Sequence, residues 1–225
     1  MVKKKEEISG VTSVKENNNI VLSSKYSVDM VPFYKEENYV MDNIGFIKFI
    51  KNVELQVRTS KDYKAYIRYL KEDLDPPLNH CMVYSNITDD VAPIEMHHFL
   101  FTLFDYIEII IGWYFKMKKP FSSSRVFHTI MEEHRNNNIF IIMLSEAVHK
   151  AVHNNKFNSS SNFLDYKMAH GNIVEFLNKY YIGLNFTHIN KIRMYFKKYE
   201  EYTNNPPEGF FEEVVTKWNE EVCIK

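Results

Sequence analysis

Four histidines carry the chemistry open to this chain. His97 and His98 are adjacent and follow Glu95, and His149 and His153 lie four positions apart further along. Residues four apart share one helical face, so His149 and His153 can address the same point in space. Neighbours on an extended strand face opposite ways, so one of the adjacent pair can join that point while the other looks elsewhere. Imidazoles are ligands for divalent ions, and a histidine left unbound can move a proton near neutral pH. The expectation is that His97, His149 and His153 hold one divalent metal and that His98 works beside it.

The elements that must position these residues can be read from pattern. Cys81–Ile87 is a short strand candidate, Thr88-Asp89-Asp90 a turn, and Ile94 to His98 a second strand. Thr102-Leu103-Phe104-Asp105 has the form of a capping box and predicts a helix to about Lys118, and Ser122-Ser123-Ser124 caps another to about His134. Asn136-Asn137-Asn138 is a turn, Ile139 to Leu144 an apolar run of strand length, and Ser145 the cap of a helix through His153. Upstream, the type of 44–58 is ambiguous, while Thr59-Ser60 caps a helix from Lys61 to about Asp73 that Asp75-Pro76-Pro77 stops. Helices near 172–181, 189–202 and 208–221 complete the chain, beyond a polar loop at 158–162.

Taken together, the sequence predicts an α+β, mostly helical fold. Residues 1–25 read as a flexible arm, 26–80 as an N-terminal helical region, 81–155 as a strand–strand–helix core with a helical insertion at 101–135, and 156–225 as a C-terminal helical region.

The order Glu95-Met96-His97-His98, then Asn138 before an apolar strand, then His149 and His153 on a helix resembles the HNH endonucleases. These are also called ββα-metal or His-Me finger nucleases, and the likeness is to the colicin-DNase type with three histidine ligands. It covers roughly residues 95–154. The resemblance implies a metal-dependent endonuclease hydrolysing phosphodiester bonds in DNA, with His97, His149 and His153 as ligands and His98 as general base. Asn138 would brace the loop that orients His98, favoured over Asn136 and Asn137 because it directly precedes the strand. Glu95 would orient from behind the metal. The metal would be one divalent ion: Mg, Mn, Zn or Ni. This chain departs from the family in placing two helices between the strands and in having no paired cysteines. A catalytically lapsed module that binds nucleic acid or protein on the same frame is the alternative, and a helical protein using its histidines for structural zinc is a third reading.

Arg58, Arg125 and Arg135 are candidate phosphate clamps, Arg135 foremost because it adjoins the asparagine turn. Lys191, Arg193, Lys197 and Lys198, beside Tyr195 and Tyr199, suggest a DNA-backbone track, against the plainer reading of a solvated helix face. His134 is either near the metal or a helix-end residue favourably placed against the dipole. His80, His128, His170 and His188 are read as capping or surface residues, and the stretch 99–115 as core.

Composition bounds the rest. With 225 residues and 45% apolar content the chain can bury a sizeable core, to which 17 Phe and 15 Tyr contribute. Net charge is −1, but the segment from Glu200 holds seven acids and two bases, leaving 26 bases against 22 acids before it. That balance is compatible with a DNA partner without demanding one. Cys81 and Cys223 have no paired spacing, which excludes a disulfide scaffold and a cysteine zinc knuckle. No apolar run is long enough to span a membrane and no signal-peptide pattern opens the chain, so a cytoplasmic setting is expected. The Asn-, Lys- and Ile-rich composition suggests an AT-rich genome, and the resemblance implies a bacteriophage origin, hence a host cytoplasm. Oligomeric state is not legible.

Overall fold

Two short strands, β1 (Thr12–Glu16) and β2 (Asn19–Ser23), pair antiparallel in a stretch where the sequence offers no strand period. The structure is a computed structural model that describes residues 12–16, 19–23, 43–154, 156 and 163–223. These ten residues fall within the stretch read as a flexible arm. Its remainder and the polar loop at 158–162 lie outside the described residues.

Helix α1 (Asn43–Thr59) resolves the ambiguous 44–58 segment: Phe49, Ile50, Val53 and Val57 recur at helical spacing and are buried. Ser60 breaks the run and caps α2 (Lys61–Arg68), its Oγ accepting the Tyr63 N–H at 3.0 Å. A π-helical turn over Tyr69–Asp73 extends it to the boundary read from the sequence. The stretch Cys81–Ile87 is not a strand. His80 and Thr88 form an isolated bridge around it, the Cys81 N–H donates to the Ile87 carbonyl at 2.7 Å, and the chain turns back on itself.

Strand β3 (Ile94–His98) pairs antiparallel with β4 (Ile141–Ser145), Glu95 facing Leu144 and His97 facing Ile142. Between them stand α3 (Leu103–Lys116) and α4 (Ser123–Arg135), the expected two-helix insertion. Both bonds of the Thr102–Asp105 capping box are made, at 2.8 and 3.2 Å, and the Ser122 Oγ accepts the Arg125 N–H at 3.2 Å. Helix α5 (Glu146–His153) follows β4 directly. Its Ser145 cap fails: the Oγ is buried without a partner, and the Glu146 N–H donates instead to the Pro93 carbonyl. Ser145 is also the last residue of β4, paired with Ile94, so strand geometry rather than the helix aims its side chain.

Helices α6 (Ile173–Tyr180), α7 (Phe186–Thr203) and α8 (Gly209–Trp218) close the fold. The architecture is mostly helical around a small antiparallel pair, as the sequence predicts. Helix α3 is the centre of the core: Ile107, Ile109, Ile110 and Ile111 are wholly buried, each stabilising the fold by about 1.5–3 kcal/mol. It meets the turn after α6 at a backbone-to-backbone contact, where a Cβ on Gly183 would sit 2.1 Å from the Ile109 carbonyl oxygen. Among the described residues no helix is long and apolar enough to cross a membrane.

Candidate metal centre

Strand alternation divides β3 into two faces. Glu95 and His97 look toward α5, whereas Ile94, Met96 and His98 belong to the other side, where Ile94 and His98 are buried. On the first face the ring nitrogens of His97, His149 and His153 lie within 4.8 Å of one another. The ring centroids of His97 are 5.0 and 5.2 Å from those of His149 and His153. His149 Nδ1 sits 2.5 Å from Glu95 Oε2. A carboxylate can only accept, so Nδ1 carries the hydrogen and Nε2 keeps its lone pair. That Nε2 is 3.0 Å from His153 Nε2. In tetrahedral zinc sites with Zn–N near 2.0–2.1 Å, ligand nitrogens stand about 3.3 Å apart, so the separation fits a shared cation.

Electrostatics favour ligation. Burial, then the charges of His149 and His153, push His97 down to about 4, and burial followed by His149 lowers His153. Neutral imidazoles at pH 7 are metal-ready without losing protons first. Among Mg, Mn, Zn and Ni, three nitrogens without an oxygen ligand favour Zn and Ni. Three protein ligands leave a fourth position, and the exposed His153 keeps this side of the cluster at the surface.

His98 occupies the other face. It is buried, its ring stacks on Tyr63 at 6.2 Å, and its Nε2 lies 3.0 Å from His134 Nε2. His134 Nδ1 is 2.7 Å from the Ile130 carbonyl, which can only accept, so the neutral His134 ring receives at Nε2 and His98 donates from Nε2. His134, a residue the sequence left between two roles, therefore fixes the tautomer of His98 rather than approaching the metal. The structure does not bring His98 to the three ligands, which weakens its expected role as general base.

This buried pair sets a pH limit. Burial holds His134 down to about 4 and His98 well below the ordinary histidine value of 6.5. Between pH 6.5 and 4 the unfolded chain binds more protons than the folded one. Stability is complete above 6.5 and is lost as pH falls toward 4, by about 1.4 kcal/mol per pH unit for each histidine. An acid-unfolding titration followed by circular dichroism should show its midpoint inside that window; a fold intact below pH 4 would refute the assignment.

The supporting residues separate. Asn138, expected to brace the loop that orients His98, donates from Nδ2 to the buried Glu133 of α4 at 2.7 Å. Asn137, at φ +55°, turns the chain and accepts the Asn172 N–H at 2.6 Å. Arg58 bonds Glu54 at 2.9 Å, and its charge helps to depress both His153 and His98. Arg125 is turned to the Pro120 carbonyl. Arg135 is exposed and its charge acts on His134, behind the sheet. The proposed track on α7 is largely engaged: Lys191 binds both Asp105 oxygens at 2.7 Å, Arg193 reaches Asn219, and Lys197 pairs with Glu201, while Lys198 is half-buried.

A second cluster, Asp105, Glu108 and His188, also falls within 4.8 Å. His188 is buried at the third position of the α7 capping box, where its Nδ1 accepts the Asn185 N–H at 3.2 Å. A neutral ring accepting at Nδ1 carries its hydrogen on Nε2, so no lone pair faces the carboxylates. The Lys191 ammonium already supplies the cation.

Comparison with known proteins gives one family. The family model of the bacteriophage G278-like virion proteins matches residues 2–225. No curated protein and no solved structure matches the chain. The match bears out the bacteriophage origin implied by the resemblance, and its description carries no enzymatic activity.

Proposed function

The chain belongs to the bacteriophage G278-like virion protein family, and from that premise we propose that it is a virion component with a metal-dependent phosphodiesterase site acting on DNA. The observation that carries this reading is the convergence of His97, His149 and His153 on a strand–strand–helix frame with one side open. A divalent ion held there supplies Lewis-acid polarisation of a phosphate oxygen and acidifies water. His149, locked by Glu95, and His97, anchored in β3, hold their rings in place without reorganisation. Arg58 is assigned to the neighbouring phosphate; its guanidinium is held by Glu54, and its charge is one of those that lower His153. Glu95 shares the face of His97 and is half-exposed, with one carboxylate oxygen on His149. We assign proton acceptance to Glu95, in place of the His98 that the resemblance names, because His98 is buried and bonded to His134. The proposed setting is phage DNA in the host cytoplasm.

Supercoiled plasmid incubated with the zinc- or nickel-loaded protein should be nicked, and EDTA or His149→Ala should abolish the nicking. Intact plasmid after incubation with protein that verifiably holds metal would sink the hydrolytic reading. His98→Gln keeps an N–H for His134 and should retain activity. If it loses more than 100-fold at unchanged melting temperature, the base is His98 and not Glu95. The burial of His98 also favours a second reading, in which the same frame uses its metal to hold DNA or a virion partner without cutting. Metal-dependent stabilisation with DNA retained and no nicks would select it.

A further inference from the structure

The two strands of the β3–β4 sheet differ in how their outer edges are treated. On the shared side, the Glu146 N–H donates to the Pro93 carbonyl and the Phe99 N–H to the Phe140 carbonyl, both at 3.0 Å, so the odd-numbered residues of β3 turn their backbone groups toward β4. The far edge of β4 is occupied: Ile141 exchanges both its backbone bonds with His170, and the Met143 carbonyl accepts the Met82 N–H at 2.8 Å. By the same alternation, the N–H and C=O groups of Ile94, Met96 and His98 point away from β4. Asp89 Oδ1 accepts the Ile94 N–H at 2.9 Å. Among the described residues, the Met96 and His98 N–H groups and the Ile94 and Met96 carbonyls have no backbone partner. Met96 is partly exposed although Ile94 and His98 beside it on the same face are buried, so the edge opens at its middle. An unpaired row of backbone donors and acceptors is a template for a further strand.

We propose that this edge docks a second copy of the chain, β3 against the partner's β3, antiparallel about a two-fold axis at Met96. In that register Met96 and the partner's Met96 exchange N–H and C=O in both directions. The His98 N–H reaches the partner's Ile94 carbonyl, and the reciprocal bond forms, while each Ile94 N–H stays on Asp89. The groups left open in one copy are therefore the ones the two-fold pairs. A second copy is the occupant the strand itself specifies, because Glu95 and His97 flank Met96 symmetrically. The axis sets Glu95 opposite the partner's His97, with Cβ atoms about 4.5–5.5 Å apart. Moving the axis one residue either way would instead oppose Glu95 to the partner's Glu95 or His97 to the partner's His97, and like charges facing each other destabilise. On the other face the two Met96 side chains cover each other's apolar surface. The product is a four-stranded sheet with an isologous interface, carrying both metal centres on one face. His97 and the partner's His97 become diagonal neighbours about 7–8 Å apart. The pairing goes beyond the hydrolytic reading and needs no metal.

The full chain in EDTA, so that no metal bridges two copies, should sediment as a dimer that dissociates on dilution. Met96→Pro removes the outward N–H and no bond to β4. It should be monomeric at concentrations where the unaltered chain is dimeric, and should keep the zinc-induced rise in melting temperature that reports an intact fold. Met96→Cys in a Cys223→Ser background should form a disulfide-linked dimer on mild oxidation. Opposed hydrogen-bonded residues stand about 5.5 Å apart at Cα, within disulfide reach. Val91→Cys, 71% exposed but off the strand, should not cross-link. The cysteine variant decides the matter if the proline variant fails to fold. An unaltered chain that is monomeric at every concentration overturns the proposal, and a foreign strand would then be the occupant of the edge. So does a zinc-responsive Met96→Pro that remains dimeric, which would place the interface elsewhere, or a Met96→Cys chain that does not cross-link. A dimer that follows these expectations but never nicks plasmid would remove the phosphodiesterase reading and leave the pairing standing.

Discussion

Zinc is expected to raise the melting temperature of the protein by about 5–10 °C at a free concentration one hundred times its dissociation constant, and His149→Ala should erase the rise. Binding to the folded state alone contributes about 2.7 kcal/mol at that ratio, and in a chain of this length each kcal/mol moves the transition by about 2–4 °C. The effect requires a site that exists only in the fold. His97 comes from β3 and His149 and His153 from α5, so the unfolded chain retains only the two helical histidines as near neighbours. Glu95→Gln is the finer probe. It keeps the length of the side chain but removes the charge that accepts from His149 Nδ1, and should weaken zinc binding about 10–100-fold. Thermal melts and calorimetric titration check both. An undiminished zinc shift in His149→Ala would place the metal elsewhere.

Glu133→Ala should destabilise the fold by about 3–5 kcal/mol, from the buried Tyr180 hydroxyl and the part-buried Asn138 amide left unsatisfied together with a broken charge pair. Glu133 is wholly buried on α4. One carboxylate oxygen accepts from Lys179 Nζ at 2.5 Å and Tyr180 Oη at 2.7 Å, and the other from Asn138 Nδ2 at 2.7 Å. Its backbone carbonyl accepts the Asn138 N–H at 2.9 Å. One side chain thus ties α4 to α6 and to the turn that launches β4. Lys179 is nearly half-exposed and can return to water, whereas Tyr180 is 1% exposed and cannot. Glu133→Gln retains an acceptor and should cost less than alanine. Chemical denaturation measures the difference; equal losses for the two variants would mean the hydrogen bonds carry little of the stability.

The parts of this molecule legible in its sequence are those governed by local spacing. The i,i+4 relation of His149 and His153, the opposite facing of His97 and His98, the Thr102–Asp105 box and the Ser60 and Ser122 caps are short-range rules, and each recurs in the structure. What failed depended on partners distant along the chain. His98 and His134 are 36 residues apart, and only the packing of α4 behind β3 reveals that one fixes the other. Lys191 looked free for DNA because Asp105 lies 86 positions away. Ser145 misled because it obeys two elements at once, and the strand prevails. Cys81–Ile87 has strand composition and reaches β4 through the Met82 N–H on the Met143 carbonyl at 2.8 Å, but it forms no ladder there and folds back through the His80–Thr88 bridge.

The two-residue histidine step in β3 conceals a hazard of assembly. A slip of one residue along β4 would exchange the faces of the strand and present His98 to α5 in place of His97. By its imidazoles alone, the misaligned strand would be indistinguishable from the native one. The neighbours break that degeneracy, because the slip would bury the Glu95 carboxylate and expose Ile94 and Met96. A buried Glu95 carboxylate would thus disfavour the slipped alignment, in addition to its native bond to His149. Its replacement by an uncharged residue should leave a fraction of molecules trapped in the wrong alignment, with metal ligands drawn from the wrong side of the strand.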